Sequence, residues 1–291
     1  MMKRKFVFML FAFCALSCAD EEISWNVDDA PPEMLVVEGS FTNEFVHHRI
    51  VLSKAANYFM NQPTPRVTGA HIAITQGDKT INFEEVSEEP GVYRTVQRIA
   101  GKPGETYALE INLENPINNR TQYQASEKMI KGINMDSMEA YLYENPMYVE
   151  QSPLDSTMLL TYLYGNEPPD IKNLYSVQLH KNGAMLQDTI DEIDIYSDTE
   201  QLEGDYINTL AFFESFNPGD TASITISTVS RTYQQFVTGI KNIANQSGNP
   251  FDLSGPPANA IGNIDGEALG YFRVSYVSTA QAIVKDMRAK Q

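Results

Sequence analysis

Two cysteines, Cys14 and Cys18, and four histidines, His47, His48, His71 and His180, are the residues of this 291-residue chain best suited to nucleophilic, metal or proton-transfer chemistry. The histidines stand in no HExxH or related ligand spacing. His47 and His48 point to opposite faces if they share a strand, which denies a single ion both rings. No GxSxG nucleophile elbow, GxxxxGK[ST] loop or GxGxxG turn occurs. Acids are plentiful, in the pairs Glu84-Glu85 and Glu88-Glu89 and the run Asp188, Asp191, Asp194. Two carboxylates about 5 to 10 Å apart across a cleft would suit glycoside hydrolysis. The aspartate run offers oxygens to calcium but lacks the glycine and closing glutamate of an EF-hand loop. With 38 acidic against 21 basic residues, solvated surface is the plainer reading of such pairs. The sequence therefore assigns no catalytic residue, no metal site and no cofactor, and does not read as an enzyme.

Cys18 has a different chemistry. Lys3, Arg4 and Lys5 precede an apolar run from Phe6 to Leu16, the order of a signal peptide. The run is too short for a spanning helix, which needs about 20 apolar residues. Ala15-Leu16-Ser17-Cys18 resembles a lipobox, in which the cysteine becomes the acylated first residue of the mature chain. Asp20, Glu21 and Glu22 behind it resemble the acidic signal that sends lipoproteins to the outer face of the outer membrane. Each buried methylene of an acyl chain contributes about 0.8 kcal/mol, and two or more chains anchor stably. A globular body can then sit on the outer membrane through lipid alone. Cys14 leaves with the signal and Cys18 carries lipid, so no thiol remains for a disulfide, a metal or catalysis.

Charge narrows the partners. The formal net charge is −17, and loss of the three basic signal residues makes it three units more negative. Such a surface repels nucleic acid and anionic lipid head groups. The length fits about two domains.

The elements follow from hydrophobic periodicity. Residues 1–17 read as signal and 18–33 as an acidic tether. From Met34 the pattern turns to β: MLVVEGSF, RIVLSKA, a hairpin over Gly69–Val86 turning at Gly77-Asp78, Gly91-Val92-Tyr93, TYALEINLEN and TQYQASEKMI. These predict an immunoglobulin-like antiparallel sandwich over 34–131, able to bury a common face without help from later residues. A second β-rich domain is predicted over 132–280, with strands at Met138–Tyr143, Met158–Tyr164, Leu174–His180, Thr189–Tyr196, Tyr206–Phe213 and Ala222–Val229, and a closing strand LGYFRVSYVS. Val229, Tyr233, Phe236, Ile240 and Ile243 recur at 4, 3, 4, 3, which predicts one amphipathic helix at about 229–246. Residues 281–291 read as a tail. The fold class is thus mainly β, two antiparallel sandwich-like domains with one helix in the second.

Two surface features remain. Asp136-Ser137-Met138, Asp155-Ser156-Thr157, Asp188-Thr189-Ile190 and Asp220-Thr221-Ala222 resemble the Asp-Ser/Thr-apolar sequence that is O-glycosylated on exported bacterial proteins. Ser137, Ser156, Thr189 and Thr221 would carry the sugar; the alternative is that these pairs mark turns. The loop behind the helix holds Phe251 and Leu253 among prolines, the composition of a partner-binding loop.

The lipobox, the acidic spacer, MLVVEGSF, the helix followed by GNPFDLSGPPANAIGNI, and LGYFRVSYVS together resemble the domain of unknown function 4249 family. The resemblance implies a surface lipoprotein of Bacteroidetes-type bacteria and a TonB-dependent outer-membrane receptor as partner, and carries no catalytic residue. Three functions fit: an accessory or substrate-binding lipoprotein of TonB-dependent uptake, a structural or adhesive surface protein, and a surface hydrolase. The missing chemical constellations count against the third, and the resemblance favours the first over the second.

Overall fold

Side chains alternate along β1 (Leu35–Thr42), and Leu35, Val37 and Phe41 are buried while Glu38 faces solvent. The chain is seen here in a computed structural model that describes residues 33–55, 64–144, 157–168, 172–186, 189, 192–197, 206–246 and 259–288. Among the described residues it is mainly β, with two eight-stranded sheets and one helix.

The first sheet runs β1, β2 (Arg49–Lys54), β5 (Val92–Thr95), β4 (Lys79–Glu85), β3 (His71–Gln76), β6 (Thr106–Ile117) and β7 (Arg120–Lys128), all antiparallel. The β3–β4 hairpin turns at Gly77-Asp78 as predicted, with Gly77 at φ +54°. The β6–β7 turn uses Asn118 and Asn119 at φ +50° and +59°, a conformation asparagine tolerates better than most residues. Large aromatics fill the interior, and each phenol finds a partner: Tyr93 donates to the Val67 carbonyl at 3.0 Å and Tyr123 to that of Ile117 at 2.9 Å.

This sheet takes its eighth strand from the far end of the chain. β15 (Leu269–Ser275) pairs parallel with the free side of β1. Ile264, Ala268, Phe272 and Val274 enter the same core as Phe41 and Leu35. Residues 34–131 therefore supply most of that core rather than all of it.

The second sheet runs β10 (Leu174–Lys181), β14 (Thr221–Val229), β16 (Val277–Asp286), β8 (Asn134–Glu144), β9 (Thr157–Asn166) and β13 (Tyr206–Phe212). The short strands β11 (Ala184–Met185) and β12 (Asp194–Ser197) share the outer edge of β10. Leu142, Leu159, Leu163, Leu179 and Ile224 are fully buried in its core. The acidic strand begins at Asp194, not Thr189, because the Thr189 N–H donates to the Glu192 carboxylate and its carbonyl accepts from the Glu192 N–H, closing a turn.

The end of the chain also departs from expectation. LGYFRVSYVS is two strands, parted at Tyr276, whose N–H and C=O both bond Thr228. The predicted tail is strand as far as Asp286, lying between β14 and β8. Its buried residues are Val277, Ala280 and Val284, while Ile283 points outward, so no clean alternation advertises it. The last strands thus put one member in each sheet.

The helix α1 (Arg231–Gln246) starts just after the predicted 229, because Val229 still belongs to β14 and the Ser230 hydroxyl caps the helix, accepting from the Tyr233 N–H at 3.1 Å. Tyr233, Phe236 and Val237 are buried against Tyr271 of β15, with Val229 ending β14 just before the cap.

Candidate functional site

The outward side chains of β1, β2 and β15 fall in rows fixed by register. Leu269 lies opposite Val36, Tyr271 opposite Glu38, and Arg273 opposite Ser40. On the other side Glu38 faces Val51, and Arg49 follows one residue beyond the Gly39–Ile50 pair, beside Ser40. α1 stands over this face, anchored where Tyr233 and Phe236 pack on the Tyr271 ring with centroids 5.0 and 5.3 Å apart.

Between them opens a cleft of about 1060 Å³. Its sheet wall holds Val36, Glu38, Ser40, Arg49, Val51, Arg66, Leu269 and Arg273, and its helix wall Tyr233, Phe236, Ile240 and Ile243. Gly270 lines the floor at φ +89°, where an added Cβ would overlap the Val37 carbonyl oxygen, so only glycine lets the two strands meet here.

The electrostatics reverse those of the whole chain. Three arginines and one glutamate line the cleft of a protein whose formal charge is −17. Arg49 pairs with Glu89 at 2.8 Å, both side chains more than half exposed. The Arg273 guanidinium lies 5.5 Å from the Tyr233 ring centroid. Neither Arg273 nor Arg66 forms an ion pair among the described residues.

Behind the cleft a polar network joins sheet to helix. The Tyr271 hydroxyl donates to Glu127 at 3.3 Å and lies 3.0 and 2.7 Å from the hydroxyls of Ser230 and Thr232. Burial, reinforced by the Glu127 carboxylate, pushes the Tyr271 phenol up to about 12, so it stays protonated and donates. Burial also raises the Glu127 carboxyl.

Of the residues singled out in the sequence that are described, Ser137 and Thr221 stand apart from this cleft and Thr189 is exposed at its edge. Ser137 is exposed where β8 bulges against β9, and Thr221 opens β14 with its N–H donated to Asn182. In that last case the Asp-Thr pair does build a turn. The Asp220 carboxylate accepts from the Asn217 N–H and the Asn182 side chain, hydrogen bonds that hold it below the usual range. Cys18, Asp20, Glu21, Glu22, Ser156, Phe251 and Leu253 lie outside the described residues.

The Glu84-Glu85 pair is divided by the fold, while Glu88 and Glu89 are both exposed. Glu84 is exposed near Arg94, whereas the Glu85 carboxylate accepts from the N–H groups of Gly69 and Gly91, both at 2.9 Å. His47 and His48 lie just before β2 rather than on a strand, yet their side chains separate: His47 is exposed beside the Thr95 carbonyl and His48 is buried on Phe41. No group of three or more His, Cys, Asp or Glu converges as a ligand set among the described residues, and no helix among them is long and apolar enough to cross a membrane.

Sequence reasoning missed Arg49, Arg66 and Arg273, which share no motif and meet only through register. The alternation of Leu269, Tyr271 and Arg273 in LGYFRVS carried a signal that they share a face.

A family model described as a domain of unknown function, DUF4249, matches residues 20–281. No curated protein sequence matches the chain. Among solved structures it is similar to the Yersinia pseudotuberculosis adhesin InvE, at 13% identity over 67% of this chain and 55% of that one, TM-score 0.20. It is also similar to a multidomain structure of extended-synaptotagmin 2 that includes its SMP domain, at 13% identity over 68% and 46%, TM-score 0.16. The chain spans about half the length of each, and at these TM-scores neither likeness carries fold or function across.

Proposed function

The chain belongs to the DUF4249 family, and we propose that it is a lipid-anchored protein of the outer membrane, facing outward, that binds a small ligand as accessory to a TonB-dependent uptake receptor. The cleft under α1 carries the ligand-binding part of this reading: its volume is that of a metabolite site, and it pairs apolar walls with a few charged groups. The lipobox at Cys18 and the acids Asp20, Glu21 and Glu22 support the anchor and its outward orientation. The family resemblance supports the receptor. Nothing in the cleft calls for bond-making chemistry, and binding without turnover is the simpler use of it.

The test is a pull-down of the tagged lipoprotein from detergent-solubilised outer membranes. The expected result is a TonB-dependent receptor recovered with wild type, and its loss from the membrane fraction's pull-down when Cys18→Ala releases the protein from membranes. Recovery of no receptor would leave an adhesive or structural surface protein as the better reading.

A further inference from the structure

Resting on the reading of the cleft as a ligand site, we infer that it takes an organic anion, its acidic head held over Ser40 by Arg273 and Arg49 and its apolar body laid along Val36, Leu269, Ile240 and Ile243.

Register builds the head site. Ser40 lies between its cross-strand neighbours Arg273 on β15 and Arg49 on β2. Adjacent strands are about 4.8 Å apart, so the two arginine Cα atoms flank the serine across roughly 10 Å. That span lets two long side chains converge on one oxyanion while the serine hydroxyl donates from below.

The arginines are prepared for a ligand rather than used up by the fold. Arg273 is half-buried and steered by the Tyr233 ring, which orients a guanidinium without neutralising it. The buried carboxylate in its vicinity, Glu127, is turned to the Tyr271 hydroxyl and the Val274 N–H. The Arg49–Glu89 pair is solvent-exposed on both sides, the kind of pair that exchanges readily for a better partner. Arg66 adds a third positive charge further along the same wall.

The local charge decides the class of ligand. Three arginines against Glu38 leave the lining positive inside a strongly acidic protein, which concentrates anions where the rest of the surface repels them. Heads that present two adjacent oxygens, the planar carboxylate and the tetrahedral sulfonate and phosphate, match the arginine fork. The aliphatic side chains beyond them are half-buried, offering a body of hydrocarbon or ring a place to lose water.

Two dyes that share an aromatic body test this. Anilinonaphthalene sulfonate carries an anionic head and phenylnaphthylamine carries none. Residues 19–291 without lipid keep the whole compact unit Glu33–Gln291 and avoid detergent. The sulfonate should bind at least about tenfold more tightly than the neutral dye. Arg273→Gln and Arg49→Gln should each weaken it about tenfold and leave the neutral dye unchanged, while Arg94→Gln, in the same row but outside the cleft lining, should alter neither. Hexanoate, hexyl sulfate or hexyl phosphate should displace the sulfonate where hexanol does not. Equal binding of both dyes, indifferent to the arginines, would overturn the anion site and leave an apolar ligand cleft standing. Binding of neither dye would overturn the cleft reading itself. Arg273→Lys, which keeps charge without the fork, guards against a folding artefact: it should retain the wild-type melting curve and still lose affinity.

Discussion

The Glu127 carboxylate on β7 accepts a hydrogen bond from the backbone N–H of Val274 on β15 at 3.2 Å. β7 and β15 are the two ends of the first sheet's strand order, so this side chain closes the curl where no ladder does. The seam is reinforced by Asp265, which accepts from the Gln124 N–H through its side chain and donates its own N–H to the Gln124 carbonyl. A glutamate suits the task because one carboxylate can take the Val274 N–H and the Tyr271 hydroxyl together.

Burial sets a cost on that arrangement. Desolvation raises the Glu127 carboxyl above its ordinary 4.5 despite the opposing pull of Ser230, the Val274 N–H, the Tyr271 hydroxyl and Arg273 nearby. A folded-state value above the unfolded one contributes stability that is present below about 4.5 and lost as pH rises through the raised value. Glu127→Gln keeps an acceptor for Val274 and an uncharged group toward Tyr271. The melting temperature of this variant should gain on wild type as pH rises from about 4 to 8. Parallel melting curves across that range would show that Glu127 does not titrate in the folded protein.

His48 works with the opposite sign. Its ring lies 4.3 Å from Phe41, Nδ1 accepts from the Thr42 N–H at 3.4 Å, and Nε2–H donates to the Ile99 carbonyl at 2.8 Å, which fixes the neutral tautomer. Burial lowers its pKa from 6.5, so the unfolded chain takes up the proton first as pH falls. Stability from the neutral ring is present above about 6.5 and declines as pH drops below it. Wild type should lose melting temperature relative to His48→Gln between about pH 7 and 5. Because His48 and Glu127 act on stability with opposite slopes, the single variants separate two contributions that the wild-type curve sums. A His48→Gln difference that stays constant with pH would remove the histidine from the account.

Gly270 and Gly219 form a matched pair for testing close packing. Both have φ near +90°, but an added Cβ at Gly219 meets nothing within 4 Å, while at Gly270 it runs into the Val37 backbone. Gly219→Ala should cost about 1 to 2 kcal/mol from backbone strain alone. Gly270→Ala should cost roughly 4 kcal/mol or more, since the parallel β1–β15 pair must separate. Equal costs, read by urea denaturation, would mean that β15 shifts freely.

Most strands were legible because half-buried strands alternate, as MLVVEGSF and TYALEINLEN do, and because Gly77-Asp78 and Asn182-Gly183 mark turns with a φ requirement. The helix was legible from a single apolar stripe. What stayed hidden depends on partners distant in sequence. β16 escaped because small alanines and an outward Ile283 blur its period. Its place between β14 and β8 is fixed by residues that lie far off along the chain. The arginine row of the cleft is a product of register, and register is set by turns and by the β1–β15 pairing that no local pattern announces.

That pairing bears on whether the first sheet can stand alone. Residues 33–131 include seven of its strands but lack Phe272 and Val274, both at 2% exposure or less in the shared core. Burying a phenylalanine and a valine side chain contributes about 2 to 3 kcal/mol each, a large part of the stability of an ordinary domain. Removing β15 also leaves the hydrogen-bonding edge of β1 open and Glu127 without the Val274 N–H, so a buried carboxylate loses a donor. The fragment 33–131 should therefore melt non-cooperatively or associate through β1. A synthetic peptide of residues 259–278, added in trans, should restore a cooperative transition whose midpoint rises with peptide concentration. A fragment that melts sharply without the peptide, and ignores its addition, would show that β15 merely decorates a sheet already complete.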